Sequence, residues 1–282
     1  MNGSPLVDCE RVHAHLSDPE WRIFDCRHQL SDPDVGMLAY GGGHLPGAFF
    51  LHLDRDLSGP RNGRNGRHPL PDPPTLAEKL GAAGVHAGVQ VVAYDDCGGM
   101  IASRLWWLLR WLGHDRVAVL DGGIPRWLAE GKALSIEVPQ VQPAIFTVSL
   151  RDWVVSSDEV LANLGRQRFC LVDARSPDRF AGENETLDPV AGHIPGSLNR
   201  CFRDNLDASD RFRPAFELRR EFLQLFAGTT PQHAVMSCGS GVSACHNLLA
   251  MEIAGLSGAR LYAGSWSEWC SNPQRPIATG AS

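Results

Sequence analysis

The sequence predicts a duplicated α/β protein in which each half is a parallel sheet flanked by helices on both faces. Three observations predict it: stretches that recur in a fixed order, short apolar runs alternating with helical periods, and one polar stretch between the halves. Ile23-Phe24-Asp25-Cys26-Arg27 returns as Leu171-Val172-Asp173-Ala174-Arg175, and Gly43-His44-Leu45-Pro46-Gly47-Ala48 as Gly192-His193-Ile194-Pro195-Gly196-Ser197. Val91-Val92-Ala93-Tyr94 corresponds to Ala234-Val235-Met236-Ser237, and Leu120-Asp121-Gly122-Gly123 to Tyr262-Ala263-Gly264-Ser265, each of the last pair followed by Trp127 or Trp269. Self-similarity in one order marks a duplication before any single motif is weighed. The domains follow as 1–134 and 150–282, with 135–149 as linker.

In the first half, segments 76–83 and 101–112 carry a helical period; in the second, 157–164, 216–226 and 244–254 do. Segments 89–94, 117–120, 169–172 and 234–237 are short, rich in β-branched residues and bounded by Gly, Pro or Asp, as strands buried on both faces are. Alternation of the two makes the sheets parallel, because the helices serve as crossovers. Ser156 or Ser157 before Asp158-Glu159 reads as a helix cap with an acidic first turn. The linker, with Pro139, Gln140, Gln142 and Pro143, has no helical period.

The chain has 282 residues, 43% hydrophobic and 21% charged, which is globular composition and room for two domains. A formal charge of -6 argues against nucleic acid or an anionic membrane as the main partner. No apolar run reaches the length of a membrane span, and Met1–Arg11 lacks the basic start and apolar stretch of a secretory signal. A cytoplasmic protein is expected. Its eight cysteines show neither Cys-x-x-Cys spacing nor an accompanying His-x-x-x-His, so no metal site is predicted and most should be buried thiols.

The duplication is an internal control: features of both halves are scaffold, and features of one half are candidates for chemistry. Asp25-Arg27 and Asp173-Arg175 read as structural ion pairs, His44 and His193 as turn stabilisers, Trp127 and Trp269 as core anchors. What only the second half has is Ser237-Cys238-Gly239-Ser240-Gly241-Val242-Ser243-Ala244-Cys245-His246; the first half has Tyr94-Asp95-Asp96-Cys97-Gly98-Gly99 there, without a nucleophile. A strand end passing through two glycines into a helix aims backbone N–H groups inward behind Cys238, which stabilises a thiolate. Glycines at Gly239 and Gly241 with no packing purpose weigh against a merely buried thiol. Cys245 reads as a core residue on the inward helix face.

Two other readings of this loop fail on context. Gly239-x-Gly241-x-x-Ala244 fits a relaxed dinucleotide fingerprint, but no acidic residue ends the next strand, 259–263. A cysteine phosphatase needs an arginine closing the loop, and Ser237 to Asn247 contains neither Arg nor Lys.

Across essentially the whole chain these residues resemble the tandem rhodanese family of sulfurtransferases. Cys-Gly-Ser-Gly-Val resembles the 3-mercaptopyruvate branch, whose loop continues with threonine where this chain has Ser243; the thiosulfate branch carries Cys-Arg-Lys-Gly-Val-Thr, with cations that Gly239 and Ser240 do not supply. The resemblance implies a loop triad of Ser240, His68 and Asp54, with Asp56 as alternative to Asp54. It implies donor binding by Arg179 and by the loop residues Gly239, Gly241, Val242 and Ser243. A second family arginine has no counterpart in Glu183–Pro189. Arg61, Arg64 and Arg67, leading to His68, read as solvated charges able to steer an anionic donor.

The implied reaction is sulfur transfer from 3-mercaptopyruvate, releasing pyruvate, through a Cys238 persulfide to a thiol or cyanide, with a thioredoxin-like protein among the acceptors. No cofactor is required. Thiosulfate:cyanide sulfurtransferase is the alternative, and a non-catalytic persulfide carrier or binding module the more distant one.

Overall fold

The computed structural model describes residues 4–280; of the stretch read above for a secretory signal, residues 1–3 lie outside them. The chain divides into two compact units, one of Met1–Gly59, Leu70–Asp152 and Ala208–Phe212, the other of Pro60–Pro69, Trp153–Asp207 and Arg213–Ser282.

In the first unit the elements are β1 (Leu6–Val7), α1 (Cys9–Ala14), β2 (Trp21–Asp25), α2 (Val35–Gly42), β3 (Ala48–Phe50), α3 (Pro73–Ala82), β4 (Gln90–Tyr94), α4 (Ala102–Trp111), β5 (Val117–Leu120) and α5 (Gly123–Ala129). The sheet runs β1-β5-β4-β2-β3, every pair parallel. β5 is buried along its length and β4 beyond Gln90, which is why neither shows polar alternation. Trp127 is fully buried among Val92, Tyr94 and Leu120, and its Nε1–H donates to Ala133 O at 2.9 Å. Residues 135–149 run along this unit: His44 and Ser135 exchange backbone hydrogen bonds (2.9 and 2.8 Å), and Ala144 N–H donates to Gly81 O (2.8 Å).

The second unit carries α6 (Ser157–Arg166), β6 (Cys170–Asp173), α7 (Pro177–Ala181), β7 (Leu198–Asn199), α8 (Ala215–Phe226), β8 (Ala234–Ser237), α9 (Ser243–Ile253), β9 (Arg260–Leu261) and α10 (Ser265–Trp269). Its sheet runs β7-β6-β8-β9, again parallel. Ser156 is the cap of α6: it accepts from Glu159 N–H, and Glu159 returns a bond to Ser156 N–H, an arrangement that contributes about 1 kcal/mol. Trp269, like Trp127, is fully buried. Among the described residues no helix is long and apolar enough to cross a membrane.

The scaffold features repeat as the control predicts. Arg27 Nη2 holds Asp25 at 2.6 Å and donates to Gly43 O at 2.8 Å; Arg175 Nη2 holds Asp173 at 2.7 Å and donates to Gly192 O at 2.8 Å. Each pair ties a strand end to the turn that follows. His44 stacks on Tyr40 and bonds its carbonyl, and His193 does the same with Phe180, both at 2.8 Å through Nδ1.

Candidate active site

Strand register fixes the comparison between the halves. Tyr94 pairs with Asp25 and Ser237 with Asp173, so Asp95 and Cys238 are the equivalent next residues. In the first unit Asp95 is fully buried, and its carboxylate accepts N–H bonds from Cys97 (3.0 Å), Gly99 (2.8 Å), Ile101 (2.8 Å) and Ala102 (2.9 Å). The loop is an anion nest filled by its own side chain. In the second unit Cys238 Sγ stands there, accepting from Gly241 N–H at 3.0 Å and more weakly from Ser240 N–H at 3.4 Å.

The first turn of α10 pins this loop. Cys238 N–H donates to Ser265 Oγ (3.0 Å), and the carbonyls of Cys238 and Gly239 accept from Trp266 and Ser267 N–H, both at 2.9 Å. Ser265 is fully buried with φ of 54°, and its counterpart Gly123 has φ of 56°. A serine held in the left-handed region carries strain that the Cys238 bond offsets. Sequence reasoning missed Ser265, although the pairing of Gly123 with Ser265 was the signal. Gly241 corrects a reading made above: it does have a packing purpose, since φ is 78° and a Cβ would fall 2.3 Å from Ala263 O. Val242 and Ser243 are buried and lead into α9, whose inward face takes Cys245; that thiol donates to Gly241 O at 3.2 Å.

His68 belongs to the same unit as Cys238 because Pro60–Pro69 folds there. Arg67 N–H donates to Ser267 Oγ at 2.9 Å, and Gly66, with φ of 85°, lies so close that a Cβ would meet Gly264 O at 2.8 Å. His68 is thereby buried, not an exposed loop residue, and its Nδ1 is 2.7 Å from Ser240 Oγ. Asp54 lies in the first unit, 3.8 Å from His28 Nε2. Asp56 accepts His52 N–H at 2.7 Å and pairs with Lys79, so both its oxygens are engaged within the first unit. His28, His52 and Asp54 bring ligand atoms within 4.8 Å of one another. They make a poor metal set, because His52 Nδ1 accepts from Asp54 and Arg55 N–H and its Nε2 donates to Pro33 O.

The neutral loop is not without cations. A Cβ on Gly239 would lie 3.0 Å from Arg67 Nη2 and 3.5 Å from Arg179 Nη2. Arg179 is held by Glu185, with Nη2 2.8 Å from each carboxylate oxygen. Glu185 also takes Arg175 Nη1 at 3.3 Å and the N–H groups of Leu187 and Asp188. Burial pushes the Glu185 carboxyl up, but the bonds from Arg179 and Leu187 N–H outweigh it and hold the group below its ordinary value. Arg67 Nη1 pairs with Asp188 at 2.5 Å, where burial wins and the carboxyl sits above its ordinary value. Of the three arginines before His68, Arg61 and Arg64 are solvent-exposed as expected and Arg67 is not.

The model of the rhodanese-like domain matches twice, at residues 8–130 and 156–272. The chain belongs to the rhodanese family. The chain is thus an enzyme of the sulfurtransferase class, with a cysteine loop in one domain and Asp95 in the place of that cysteine in the other. It is 47% identical to a probable 3-mercaptopyruvate sulfurtransferase of Pseudomonas aeruginosa over 99% of this chain and 100% of that one. A bovine thiosulfate sulfurtransferase is 34% identical over 92% of this chain and 88% of its own. Among solved structures, the 3-mercaptopyruvate sulfurtransferase of Leishmania major superposes with a TM-score of 0.86 at 32% identity, covering 98% of this rhodanese and 77% of that chain. The 3-mercaptopyruvate sulfotransferase of Escherichia coli gives 0.81 at 29% identity, over 94% and 99%.

Proposed function

We propose that the protein moves sulfane sulfur from 3-mercaptopyruvate to a thiol or cyanide acceptor through a persulfide on Cys238. The observation that carries this reading is the Cys238 loop itself: a cysteine facing two backbone N–H groups, with the His68–Ser240 pair beside it. The donor's carboxylate binds Arg179. The Cys238 thiolate attacks the donor thiol sulfur; the S–S bond forms as the C–S bond breaks, and its electron pair leaves on the enolate of pyruvate. Ser240 gives its proton to that enolate and recovers one from His68, whose orientation the family resemblance assigns to Asp54. The amides of Gly239 to Ser243 hold the charged sulfur until an acceptor removes it, giving ping-pong kinetics. Eight free cysteines suit a reducing, cytoplasmic compartment, where a thioredoxin-like protein is a natural acceptor.

Thiosulfate is favoured as a second donor by one observation: Arg67 and Arg179 set beside Gly239 the positive charge that the loop's own sequence lacks. Intact mass after brief incubation with each donor separates the readings. A gain of one sulfur, about 32 Da, with mercaptopyruvate first and lost in Cys238→Ser is the expected result. A gain with thiosulfate alone moves the protein to the other branch. No gain with either overturns the catalytic reading in favour of a carrier or binding module.

A further inference from the structure

At the end of the second unit's sheet remote from Cys238 lies a cleft that the sulfur chemistry does not use. β6 and β8 pair in register from Cys170 and Ala234 to Asp173 and Ser237, the residue before Cys238, so about 10 Å of strand separates the two ends. Between α6, the start of β6 and the end of α8 the cleft encloses about 720 Å³, the size of a small-molecule site. Leu164, Leu171, Leu198, Leu225 and Phe226 give it an apolar wall, with the half-buried Cys170 thiol among them. It adjoins a second depression of about 620 Å³, which shares Asn163, Arg168, Phe169 and His233 with it and adds Arg166 and Arg260.

The shared rim is held in shape and positively charged. Asn163 Oδ1 accepts from Arg168 N–H (2.7 Å) and Phe169 N–H (3.1 Å), and its Nδ2–H donates to Phe169 O (2.9 Å), which fixes the turn carrying Arg168. Arg260 lies over the Phe169 ring at 5.8 Å and reaches Glu159 at 4.0 Å. Among the described residues Glu159 is the one carboxylate lining either depression, and it turns back to the Ser156 N–H and hydroxyl at 2.8 and 2.9 Å. Neither Arg166 nor Arg168 pairs with a carboxylate among the described residues, whereas Arg175, Arg179, Arg200 and Arg213 of the same unit all do. The C-terminal end of α6 offsets about half an elementary charge, which leaves an excess of positive charge beside the leucines.

We propose that the joined depressions are a second binding site, for a small carboxylate with an apolar tail. The tail lies along the leucines of the larger cleft and the carboxylate meets the Arg168 guanidinium, whose fork suits it, with Arg166 and Arg260 adding attraction. The site does not depend on which sulfur donor Cys238 uses.

Protection of Cys170 tests this, because its thiol lines the larger cleft while Cys238 in the same sample reports on the catalytic loop. Octanoate, acetate and octyltrimethylammonium are the probes: a chain with negative charge, the charge without the chain, and the chain with positive charge. Alkylation of each cysteine by iodoacetamide is followed by peptide mass spectrometry. Burial holds the Cys170 thiol above its ordinary value, so its slow labelling is read as a ratio with and without probe. Octanoate should protect Cys170 with a dissociation constant on the order of 1 mM, about tenfold at 10 mM, and the other two probes by less than about twofold. Arg168→Glu should raise that constant about tenfold or more, and Arg168→Lys, which keeps the charge but not the fork, less than about threefold. Arg168 is exposed, so neither change disturbs the core. No protection by octanoate, protection that survives Arg168→Glu, or equal protection by either control probe overturns the proposal. Octanoate slowing Cys238 and not Cys170 overturns it as well, since the carboxylate then lies at the catalytic loop.

Discussion

Asp95 and Cys238 occupy one register position in two copies of a strand-loop-helix unit, and each shows what the other's loop is for. The first loop presents four N–H groups to a carboxylate that cannot leave; the second presents two to the Cys238 sulfur, the atom proposed to carry the persulfide. Fixing Asp95 there satisfies these four amides, so the first copy has become a structural joint. Removing the carboxylate leaves those buried donors unpaired, each worth about 1–3 kcal/mol before relaxation. Asp95→Ala should therefore lower the unfolding free energy of the first unit by about 3 kcal/mol in urea titrations, and leave persulfide formation on Cys238 intact in the molecules that remain folded. A loss below about 1 kcal/mol would mean the nest does not depend on its internal anion.

At the scale of elements, the segment from Glu183 to Pro189 does electrostatic work rather than structural work: it has no helix or strand, yet supplies the carboxylates that hold Arg175, Arg179 and Arg67. The two carboxylates titrate in opposite senses. Glu185 is held below its ordinary value of 4.5, so its contribution is complete above about that pH and is lost as pH falls through the lower folded value. Asp188, where burial outweighs the nearby arginines, sits above its ordinary value and so takes up its proton, and loosens its hold on Arg67, at a higher pH than a free aspartate would. Glu185→Gln should cost the second unit about 2 kcal/mol at pH 7, because a nearly buried carboxylate leaves two guanidinium partners behind. That difference should shrink steadily as pH falls below 4.5 and vanish near the folded value. Urea unfolding of wild type and variant across that range measures it, and a pH-independent difference would contradict the assignment.

At the scale of the whole molecule, the duplication made the fold and the nucleophile legible, because repetition needs no contacts to be seen. The parallel sheets, the Asp25-Arg27 and Asp173-Arg175 pairs and the two buried tryptophans all stood in both halves, and Cys238 stood out by standing in one. What stayed hidden depended on proximity across the chain. His68 lies 172 positions before Ser240, the burial of Arg67 comes from docking on Ser267, and Gly241 is dictated by Ala263 O. None of these leaves a local pattern; a loop of Gly, Asn and Arg reads as solvated until its partner is known. The compact units also depart from the halves of the repeat, since Pro60–Pro69 belongs with the second. That loop leaves and re-enters the first unit almost at one point: a Cβ on Gly59 would fall 2.6 Å from Leu70 O. It can therefore be excised. Replacing Pro60–Pro69 with two glycines should close the first unit at little entropic cost and remove Arg67 and His68 together. The Ser240 and Gly241 amides and the Ser265 anchor remain, so iodoacetamide should still label Cys238. Turnover of mercaptopyruvate should fall about 100-fold or more, the scale of a lost proton relay. Turnover within about tenfold of wild type would mean that the His68–Ser240 pair is architecture and that the loop amides alone carry the reaction.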